Sequence, residues 1–441
     1  MALSELPVVV IGAGPVGLAA AAHLRERGLP HRVLEAGPHP AAGVRAWGHV
    51  RLFSPWDQLI DPAARRLLEG TGWHAPAGAA YPTGSEWAES YLTPLAEALG
   101  DVVLTDHRVV GVSRRGRDRM VDAGRDAEPL VVTAVTPEGT TRFLARAVID
   151  ASGTTTSPNP LGADGRPAIG EGGVGEGGVG EGGVADGIDR EVPDLADAVV
   201  RDRFAGVHTA VVGAGHSAMT AVMGLAELVE EAPGTRVSWV VRGALTPTRV
   251  GGGEADELPR RGALGMAAES AVTTGLVTAV EGFRTAAVEV RAGRLALVDD
   301  EGRAVEDVDR VVGLTGYRPD LAPLTEVRLD LDPVTQAPRA LGPLIDPNVH
   351  SCGTVPPHGE AELRQPEPGF YLAGMKSYGR APTFLALTGF EQVRSIVAAI
   401  AGDSEAAARV ELTLPETGVC GGSGVADGLP VVEGVGGGSC C

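Results

Sequence analysis

The fold is decided by residues 8–17, which read Val-Val-Val-Ile-Gly-Ala-Gly-Pro-Val-Gly. The first four residues are apolar, as is typical of a buried strand. A glycine-rich turn follows at once, and the alanine-rich run over residues 18–27 predicts a helix. This order of strand, turn and helix indicates a dinucleotide-binding βαβ unit, in which the helix N-terminus faces the phosphates.

Each glycine of this turn has a distinct role. Gly12 allows the tight turn, Gly14 lets the backbone approach a pyrophosphate, and Gly17 lets the helix pack closely on the strand. Residues 33–34 are interpreted as the end of the second strand, and Glu35 follows, 18 residues past Gly17. An acid at about that distance accepts hydrogen bonds from an unphosphorylated ribose. The alternative is a glycine-rich turn of some other α/β protein.

A second copy of the pattern begins near residue 205. Residues 209–212 form an apolar strand, a turn reading Gly213-Ala214-Gly215-His216-Ser217-Ala218 follows, and a helical run continues to about residue 231. The next strand, residues 237–241, ends on Arg242 instead of an acid. Because an arginine suits a ribose 2′-phosphate, the second site is predicted to prefer NADPH. The alternative is an ordinary exposed arginine at a strand end.

The composition excludes several classes of protein. The 441 residues suffice for two or three domains, and a hydrophobic content of 44% can bury a sizeable core. A formal net charge of −20 argues against nucleic-acid and anionic-membrane partners. The N-terminus has no basic segment and its apolar run is short, so neither a signal peptide nor a membrane span is expected. Three of the four cysteines lie in the last 22 residues, which favours a cytoplasmic location over a disulfide framework.

Residues 45–56 concentrate aromatic and basic side chains in a chain that is only 4% aromatic. This segment is interpreted either as a wall of the cofactor and substrate pocket or as a loop held by its aromatic side chains. A lone histidine in such a position is more often an ordinary hydrogen-bonded residue than a catalytic one. The candidate pocket contacts from this segment and from residues 375–390 are Trp47, His49, Trp56 and Arg380.

Further strands, a linker and a tail are predicted along the chain. Residues 170–184 are three copies of Gly-Glu-Gly-Gly-Val and indicate a flexible acidic linker. From residue 402 the apolar periodicity is lost, and the glycine-rich tail ends in Cys440-Cys441. The other predicted strands are residues 102–112, 130–134, 147–149, 287–290, 295–298, 311–312 and 370–372, and a helix is predicted at residues 383–401.

The order of these motifs resembles that of the flavoproteins with two dinucleotide-binding domains. The shared motifs are the two glycine turns, Asp-Ala-Ser-Gly at 150–153, Leu-Thr-Gly-Tyr-Arg-Pro-Asp at 314–320 and Phe-Tyr-Leu-Ala-Gly at 370–374. The resemblance implies an α/β fold in which an NADPH-binding Rossmann-like domain is inserted into an FAD-binding one. The implied domains are an FAD-binding domain at 1–169 and 310–402, a linker at 170–204, an NADPH-binding domain at 205–309 and a flexible tail at 403–441. The implied FAD contacts are Gly12, Gly14, Pro15, Gly17, Glu35, Gly153, Gly374 and Met375, and the implied NADPH contacts are Gly213, Gly215, His216, Ser217 and Arg242.

Two departures separate the branches of this superfamily. Disulfide and mercuric-ion reductases use an inner cysteine pair, whereas the first cysteine here is Cys352. Those reductases also end the last strand with Gly-Asp, where this chain has Gly374-Met375. Both departures favour the flavin monooxygenases, although the full Phe-x-Gly-x-x-x-His fingerprint of their class B is missing. Residues 45–56 and 375–384 are most similar to flavin-dependent monooxygenases of arsenic-resistance operons.

The resemblance implies a monooxygenase that uses FAD, NADPH and oxygen. A flavin hydroperoxide would pass one oxygen atom to a soft nucleophile, namely sulfur, nitrogen or trivalent arsenic. The tail thiols Cys420, Cys440 and Cys441 resemble the mobile pair of mercuric reductases and could bind a thiophilic metal or metalloid. A metal(loid) or disulfide reductase that uses these thiols and a non-catalytic flavin redox sensor remain as alternatives, and a homodimer is left open.

Overall fold

A computed structural model describes residues 3–172, 187–246, 256, 258–348, 355–382 and 384–412. The strands are Val8–Ile11 (β1), His31–Leu34 (β2), Val103–Leu104 (β3), Arg108–Arg114 (β4), Leu130–Thr136 (β5), Gly139–Ala145 (β6), Ala147–Asp150 (β7), Ile188–Asp189 (β8), His208–Val212 (β9), Arg236–Val240 (β10), Thr278–Val280 (β11), Thr285–Arg291 (β12), Arg294–Asp299 (β13), Ala304–Val308 (β14), Arg310–Gly313 (β15) and Phe370–Leu372 (β16). The α-helices are Pro15–Glu26 (α1), Ala42–Arg45 (α2), Pro62–Glu69 (α3), Gly84–Trp87 (α4), Thr93–Leu99 (α5), Ala198–Phe204 (α6), His216–Glu231 (α7), Pro259–Thr273 (α8), Gly342–Ile345 (α9), Glu360–Leu363 (α10), Ala386–Ile400 (α11) and Ser404–Ala408 (α12). Within these ranges no helix is long and apolar enough to cross a membrane.

The first unit is built on a five-stranded parallel sheet in the order β16-β7-β1-β2-β3. All four residues of β1 are buried, which suits its β-branched apolar sequence. Helix α1 packs against α11, and Gly389 permits their close approach because a Cβ there would lie 2.4 Å from Val16 Cγ2. Ile11 is level with Leu34 on β2 and with Asp150 on β7. The carboxyl ends of these strands therefore meet at one edge, where open α/β sheets bind their ligands.

The second unit repeats this design with a parallel sheet in the order β11-β10-β9-β15-β8. Val212 at the end of β9 is level with Val240 on β10 and with Gly313 on β15. Helix α7 follows β9 and buries its apolar face in a core that includes Trp239. The second glycine turn thus lies at the carboxyl edge of its own sheet.

The second sheet draws strands from outside the predicted limits of 205–309. Residues 187–204, which the sequence assigns to the linker, form β8 and α6, and Phe204 is buried in the core of the second unit. Residues 310–313 form β15 and pair with both β9 and β8. Phe204, Val311 and Val312 are removed from water where these segments pack on this sheet, and that burial favours their position.

Two three-stranded antiparallel sheets, β4-β5-β6 and β12-β13-β14, complete the described strands. The sequence predicted neither β6 nor β14. The single strand predicted over residues 102–112 is interrupted, because Asp106 adopts a φ of 55° between β3 and β4. Such a left-handed residue turns the chain, so β3 joins the parallel sheet while β4 starts the antiparallel one.

A buried ionic cluster ties the first antiparallel sheet to the strand β16. Glu367 accepts hydrogen bonds from Arg114 Nε at 2.6 Å and from Arg125 Nη2 at 2.7 Å. All three side chains are at most 2% exposed. Because Glu367 lies just before β16, this cluster fixes the entry of the chain into the first parallel sheet.

Two chain segments connect the first and second units side by side. Pro158 and Tyr317 form an isolated antiparallel bridge. The Asn159 side chain donates from Nδ2 to the Thr315 carbonyl at 3.1 Å, and its Oδ1 accepts from Arg318 Nε at 2.9 Å. The segment that enters the second unit and the segment that leaves it are therefore hydrogen-bonded neighbours.

Candidate functional site: two phosphate turns and the contact between the units

The first phosphate turn, residues 12–17, packs tightly against backbone at Gly12 and Gly17 and faces open space at Gly14. A Cβ on Gly12 would lie 2.8 Å from the Ala151 carbonyl oxygen, and one on Gly17 would lie 1.9 Å from the Gly12 oxygen. Among the described residues, nothing lies within 4 Å of the Cβ position of Gly14. Gly14 is also the N-cap of α1 and provides no side-chain cap. The turn therefore leaves room for an anion beside the N–H groups at the start of α1.

The second phosphate turn, residues 213–218, has the same two features. Gly213 has a φ of 137°, and a Cβ there would lie 2.2 Å from the Leu314 oxygen. Gly215 is the N-cap of α7, and no described atom lies within 4 Å of its Cβ position. Ser217, in the first turn of α7, is exposed. The backbone at both turns fits a dinucleotide pyrophosphate.

Glu35 lies beside the first turn, as its position after β2 predicts. Its Oε2 accepts a hydrogen bond from the Ala13 N–H at 2.7 Å, and its Oε1 accepts one from the Gly37 N–H at 2.9 Å. Each carboxylate oxygen can accept more than one hydrogen bond, so these contacts orient the group without exhausting its capacity. The arrangement suits a ribose-hydroxyl acceptor.

The predicted contacts after β7 and β16 also lie at this edge. Gly153 has a φ of 71° and has open space around its Cβ position within the described part of the chain. Gly374 has a φ of 67°, a backbone conformation that a side chain would strain. Its N–H donates to Gln392 Oε1 at 2.8 Å, and Met375 beside it is half-buried.

A buried amide network holds the turn at Gly374 in place. Gln392 Nε2 donates to Ser377 Oγ at 2.9 Å and lies 2.9 Å from His358 Nε2. His358 Nδ1 lies 3.0 Å from the Pro356 carbonyl, to which it can only donate. His358 must therefore be neutral, with Nε2 as the acceptor. Sequence reasoning missed Gln392 and His358, because neither belongs to a local motif.

We expect the protein to lose stability as the pH falls below about 6.5, the ordinary pKa of histidine. Burial lowers the pKa of His358, and the carboxylates of Glu362 and Glu391 only partly oppose this shift. A lowered histidine pKa contributes stability above the unfolded value, and that contribution is lost as the pH falls toward the folded value. His358→Gln removes the titrating group and should flatten the fall of the thermal midpoint between about pH 7 and pH 5. The exposed His39 supplies the control.

His39→Gln should keep the wild-type slope of thermal midpoint against pH. Burial also lowers the pKa values of His31, His208 and His216, so a residual slope is expected in the His358→Gln variant. Equal slopes in the His358 and His39 variants would contradict the prediction.

Aromatic contacts bring the second turn against the aromatic segment 45–56 of the first unit. The rings of Phe53 and His216 lie edge to face with centroids 5.3 Å apart. The guanidinium carbon of Arg260 on α8 lies 4.9 Å from the ring centroid of Tyr81. The two units therefore meet through Phe53 of the segment 45–56 and His216 at the start of α7.

His216 and His49 each carry an unsatisfied polar atom. Burial and the nearby Arg261 cation lower the pKa of His216 to about 4, while Asp256 opposes the shift. Within the described residues the buried Nε2 atoms of His216 and His49 have no hydrogen-bond partner. A buried nitrogen without a partner in a native fold calls for a ligand or an ordered water. These atoms, together with the open faces at Gly14 and Gly215, fit two nucleotide cofactors.

The other predicted pocket residues lie in different surroundings. Trp56 is buried in the core of the first unit, and the ring of Trp47 packs on Gly84. Arg380 is exposed and donates to Gln336 Oε1 at 2.7 Å. Arg242 is exposed and donates to the Ala163 carbonyl at 3.2 Å. The predicted thiols Cys420, Cys440 and Cys441, and Cys352 as well, lie outside the described residues.

Residues 10–60 match the model of a family described as an NAD(P)-binding Rossmann-like domain. Solved structures are similar over most of the chain. The bacillithiol disulfide reductase Bdr of Bacillus cereus is 20% identical with a TM-score of 0.63, over 90% of this chain and 99% of that one. The flavin-containing monooxygenase of Stenotrophomonas maltophilia is 23% identical with a TM-score of 0.56, over 90% and 98%. The FAD-bound cadaverine monooxygenase DfoA of Erwinia amylovora is 13% identical with a TM-score of 0.60, over 94% and 99%.

These similarities confirm the predicted fold class. The chain has the α/β fold of flavin-dependent oxidoreductases, with two Rossmann-like units. Reductases and monooxygenases share this fold, so the fold alone does not determine the chemistry.

Proposed function

We propose that the chain is an FAD- and NADPH-dependent monooxygenase that oxygenates a soft nucleophile: sulfur, nitrogen or trivalent arsenic. FAD would bind the first phosphate turn, with Gly12, Gly14, Pro15 and Gly17 at its pyrophosphate and Glu35 at its ribose. Gly153, Gly374 and Met375 would line the same edge. NADPH would bind the second turn through Gly213, Gly215, His216 and Ser217, with Arg242 at the 2′-phosphate. Bound FAD would accept hydride from NADPH and activate oxygen.

The contact between Phe53 and His216 is the observation that carries this proposal. The contact joins the second turn to an aromatic segment of the first unit, so the two nucleotide sites would adjoin each other. Neutral His216 would offer a lone pair to a ligand there, since its pKa of about 4 leaves it uncharged at neutral pH. Aromatic side chains on the first-unit side would keep water away from the reacting centre.

The position of the cysteines favours a monooxygenase over a reductase. No cysteine precedes Cys352, so neither phosphate turn nor the segment 45–56 contains a thiol. A disulfide or metal reductase built on this chain would need Cys352 or the tail thiols. Oxygen transfer from a flavin requires no protein thiol and no acid–base constellation.

An isotope experiment tests the proposal. The NADPH-reduced protein is mixed with ¹⁸O₂ and, in separate reactions, with an organic sulfide, a primary amine or arsenite. Incorporation of one ¹⁸O atom into the product, with NADPH consumed in step with product, is the expected result. NADH is run in parallel, and Arg242 predicts that it reduces the protein more slowly than NADPH does. Product that forms without ¹⁸O would refute the monooxygenase.

The two alternative functions, a reductase and a redox sensor, predict different outcomes when NADPH is added to the protein. Anaerobic reduction of Hg(II) or of a disulfide by NADPH would favour a reductase that uses the tail cysteines. A flavin that NADPH does not bleach would favour a redox sensor. Truncation after Pro415 removes Cys420, Cys440 and Cys441, and unchanged turnover of arsenite would exclude the tail from substrate delivery.

A further inference from the structure

Lys376 is the only lysine in a chain that contains 36 arginines. Arginine and lysine are not equivalent, because the guanidinium is a planar fork whereas the ammonium is a compact point charge with three donors. Lysine therefore stands at one position, whereas the other 36 lysine or arginine positions are arginine. The surroundings of Lys376 explain what the small group does.

The Lys376 ammonium lies at the edge where the first phosphate turn is found. Its Nζ donates to Asp150 Oδ2 at 2.6 Å and to Ser152 Oγ at 3.0 Å. The Lys376 and Asp150 side chains are 4% and 2% exposed, whereas Ser152 is exposed. Asp150 ends β7, and Lys376 lies in the turn after the neighbouring strand β16. The buried ion pair therefore joins two segments of the cofactor edge that are far apart in sequence.

Both carboxylate oxygens of Asp150 accept hydrogen bonds from this group, whereas the Lys376 ammonium has one donor without a partner among the described residues. The Oδ1 of Asp150 accepts from both the N–H and the hydroxyl of Ser152. An ammonium has three N–H donors, and the described residues supply Lys376 with two acceptors. Leaving a buried charged donor without a partner is costly, so a third acceptor is expected from outside the protein.

The phosphate turn adjoins this ammonium. A Cβ on Gly12 would lie 2.9 Å from the Cα of Ser152, the residue whose hydroxyl contacts Lys376. A Cβ on Gly374, two residues before Lys376, would lie 3.3 Å from Val16 in the first turn of α1. The ammonium therefore lies next to the turn that the pyrophosphate would occupy.

We propose that Lys376 binds FAD directly by donating its third N–H to an oxygen of the pyrophosphate–ribityl part of the cofactor. This inference rests on the proposed function, since it assumes that FAD binds at the first turn. Asp150 holds the ammonium in position and balances its charge. A point donor fits between Asp150 and Ser152, whereas the wider arginine fork would have to displace one of them.

Affinity for FAD in a pair of variants tests the inference. Lys376→Met should weaken FAD binding at least about tenfold, because a charge-assisted hydrogen bond is lost. That variant alone is ambiguous, since it leaves the Asp150 carboxylate buried, unpaired and repulsive to phosphate. The double variant Lys376→Met/Asp150→Asn removes the unpaired charge. It should still bind FAD at least about tenfold more weakly than the wild type if Lys376 is a ligand of FAD.

Two results would count against the inference, one against Lys376 as a ligand of FAD and one against the requirement for lysine there, and both are distinguishable from failure of the proposed function. A double variant that binds FAD as tightly as the wild type means that Lys376 only neutralises Asp150. Lys376→Arg with wild-type affinity would contradict the need for a point donor. A wild-type chain that binds no FAD would instead refute the proposed function itself.

The single lysine also permits a direct chemical measurement. An amine-acylating reagent has two targets in this chain, Lys376 and the N-terminal amine. The rate of acylation of Lys376 is compared between flavin-free protein and the same protein reconstituted with saturating FAD. The reconstituted protein should react about tenfold or more slowly, because the free N–H of Lys376 faces the cofactor. The rate at the N-terminal amine is the internal control and should not change. Equal rates at Lys376 with and without FAD would contradict the proposal.

Discussion

Gly14→Ala should leave the protein folded and lower its affinity for FAD by about two orders of magnitude, since one or two backbone–phosphate hydrogen bonds of about 1.5–3 kcal/mol each would be lost. Gly14 has a φ of −79°, which alanine adopts without strain, and its Cβ position is open among the described residues. The added methyl group would occupy the space through which a pyrophosphate must approach. Isothermal titration with FAD and the urea midpoint of the flavin-free protein separate affinity from stability.

Gly17→Ala and Gly215→Ala provide the matched controls. A Cβ on Gly17 would lie 1.9 Å from the Gly12 oxygen, so Gly17→Ala should lower the urea midpoint as well as FAD affinity. Gly215 is as open as Gly14 but lies in the second turn. Gly215→Ala should retain FAD and its reduction by dithionite, while reduction by NADPH slows. If Gly215→Ala lost FAD and Gly14→Ala did not, the assignment of the two turns would be wrong.

Glu367→Gln should destabilise the protein by about 3–5 kcal/mol, because it leaves two buried arginines without their anion. Burial alone would raise the pKa of Glu367, but the hydrogen bonds from Arg125 and Arg114 outweigh that effect and lower it. The carboxylate is therefore ionised in the fold, and a neutral amide cannot replace it. Urea denaturation followed by circular dichroism measures the change.

Glu128→Gln is the control for this prediction. Glu128 pairs with Arg115 at 2.8 Å on the surface, where both side chains are partly exposed. Exposed ion pairs of this kind contribute about 0–1 kcal/mol. A loss of stability in Glu367→Gln no larger than that in Glu128→Gln would contradict a structural role for the buried cluster.

The fold was predictable from the sequence wherever the signal was local. The two glycine turns specify strand, turn and helix within about twenty residues, and Gly12, Gly14 and Glu35 lie where the motif predicts. The limits of the second unit were not predictable in this way. The pairing of β8 and β15 joins segments from outside the predicted limits 205–309. Glu171, which the sequence assigned to the linker, is buried and accepts hydrogen bonds from the Leu161 and Ala168 N–H groups.

The residues of the candidate site were likewise predictable only where they belong to a local motif. The phosphate-turn residues are motif residues, whereas the groups that support them come together only through the tertiary fold. Lys376 lies 226 residues from Asp150, and Gln392 reaches Gly374 from helix α11. The single lysine was visible in the sequence, but its partner depends on β16 pairing with β7. Long-range contacts of this kind leave no periodicity for sequence analysis to detect.

The strand order of the first sheet has a consequence for synthesis on the ribosome. Strand β16 comes from beyond the inserted unit, yet it forms the edge of a sheet whose other strands precede that unit. The second sheet can close once residue 313 has emerged, whereas the first must wait for residue 372. Domains usually complete folding from the N-terminus. Here the later-encoded unit can finish first, and under the proposed function the nascent chain would bind flavin fully only after its last strand has emerged.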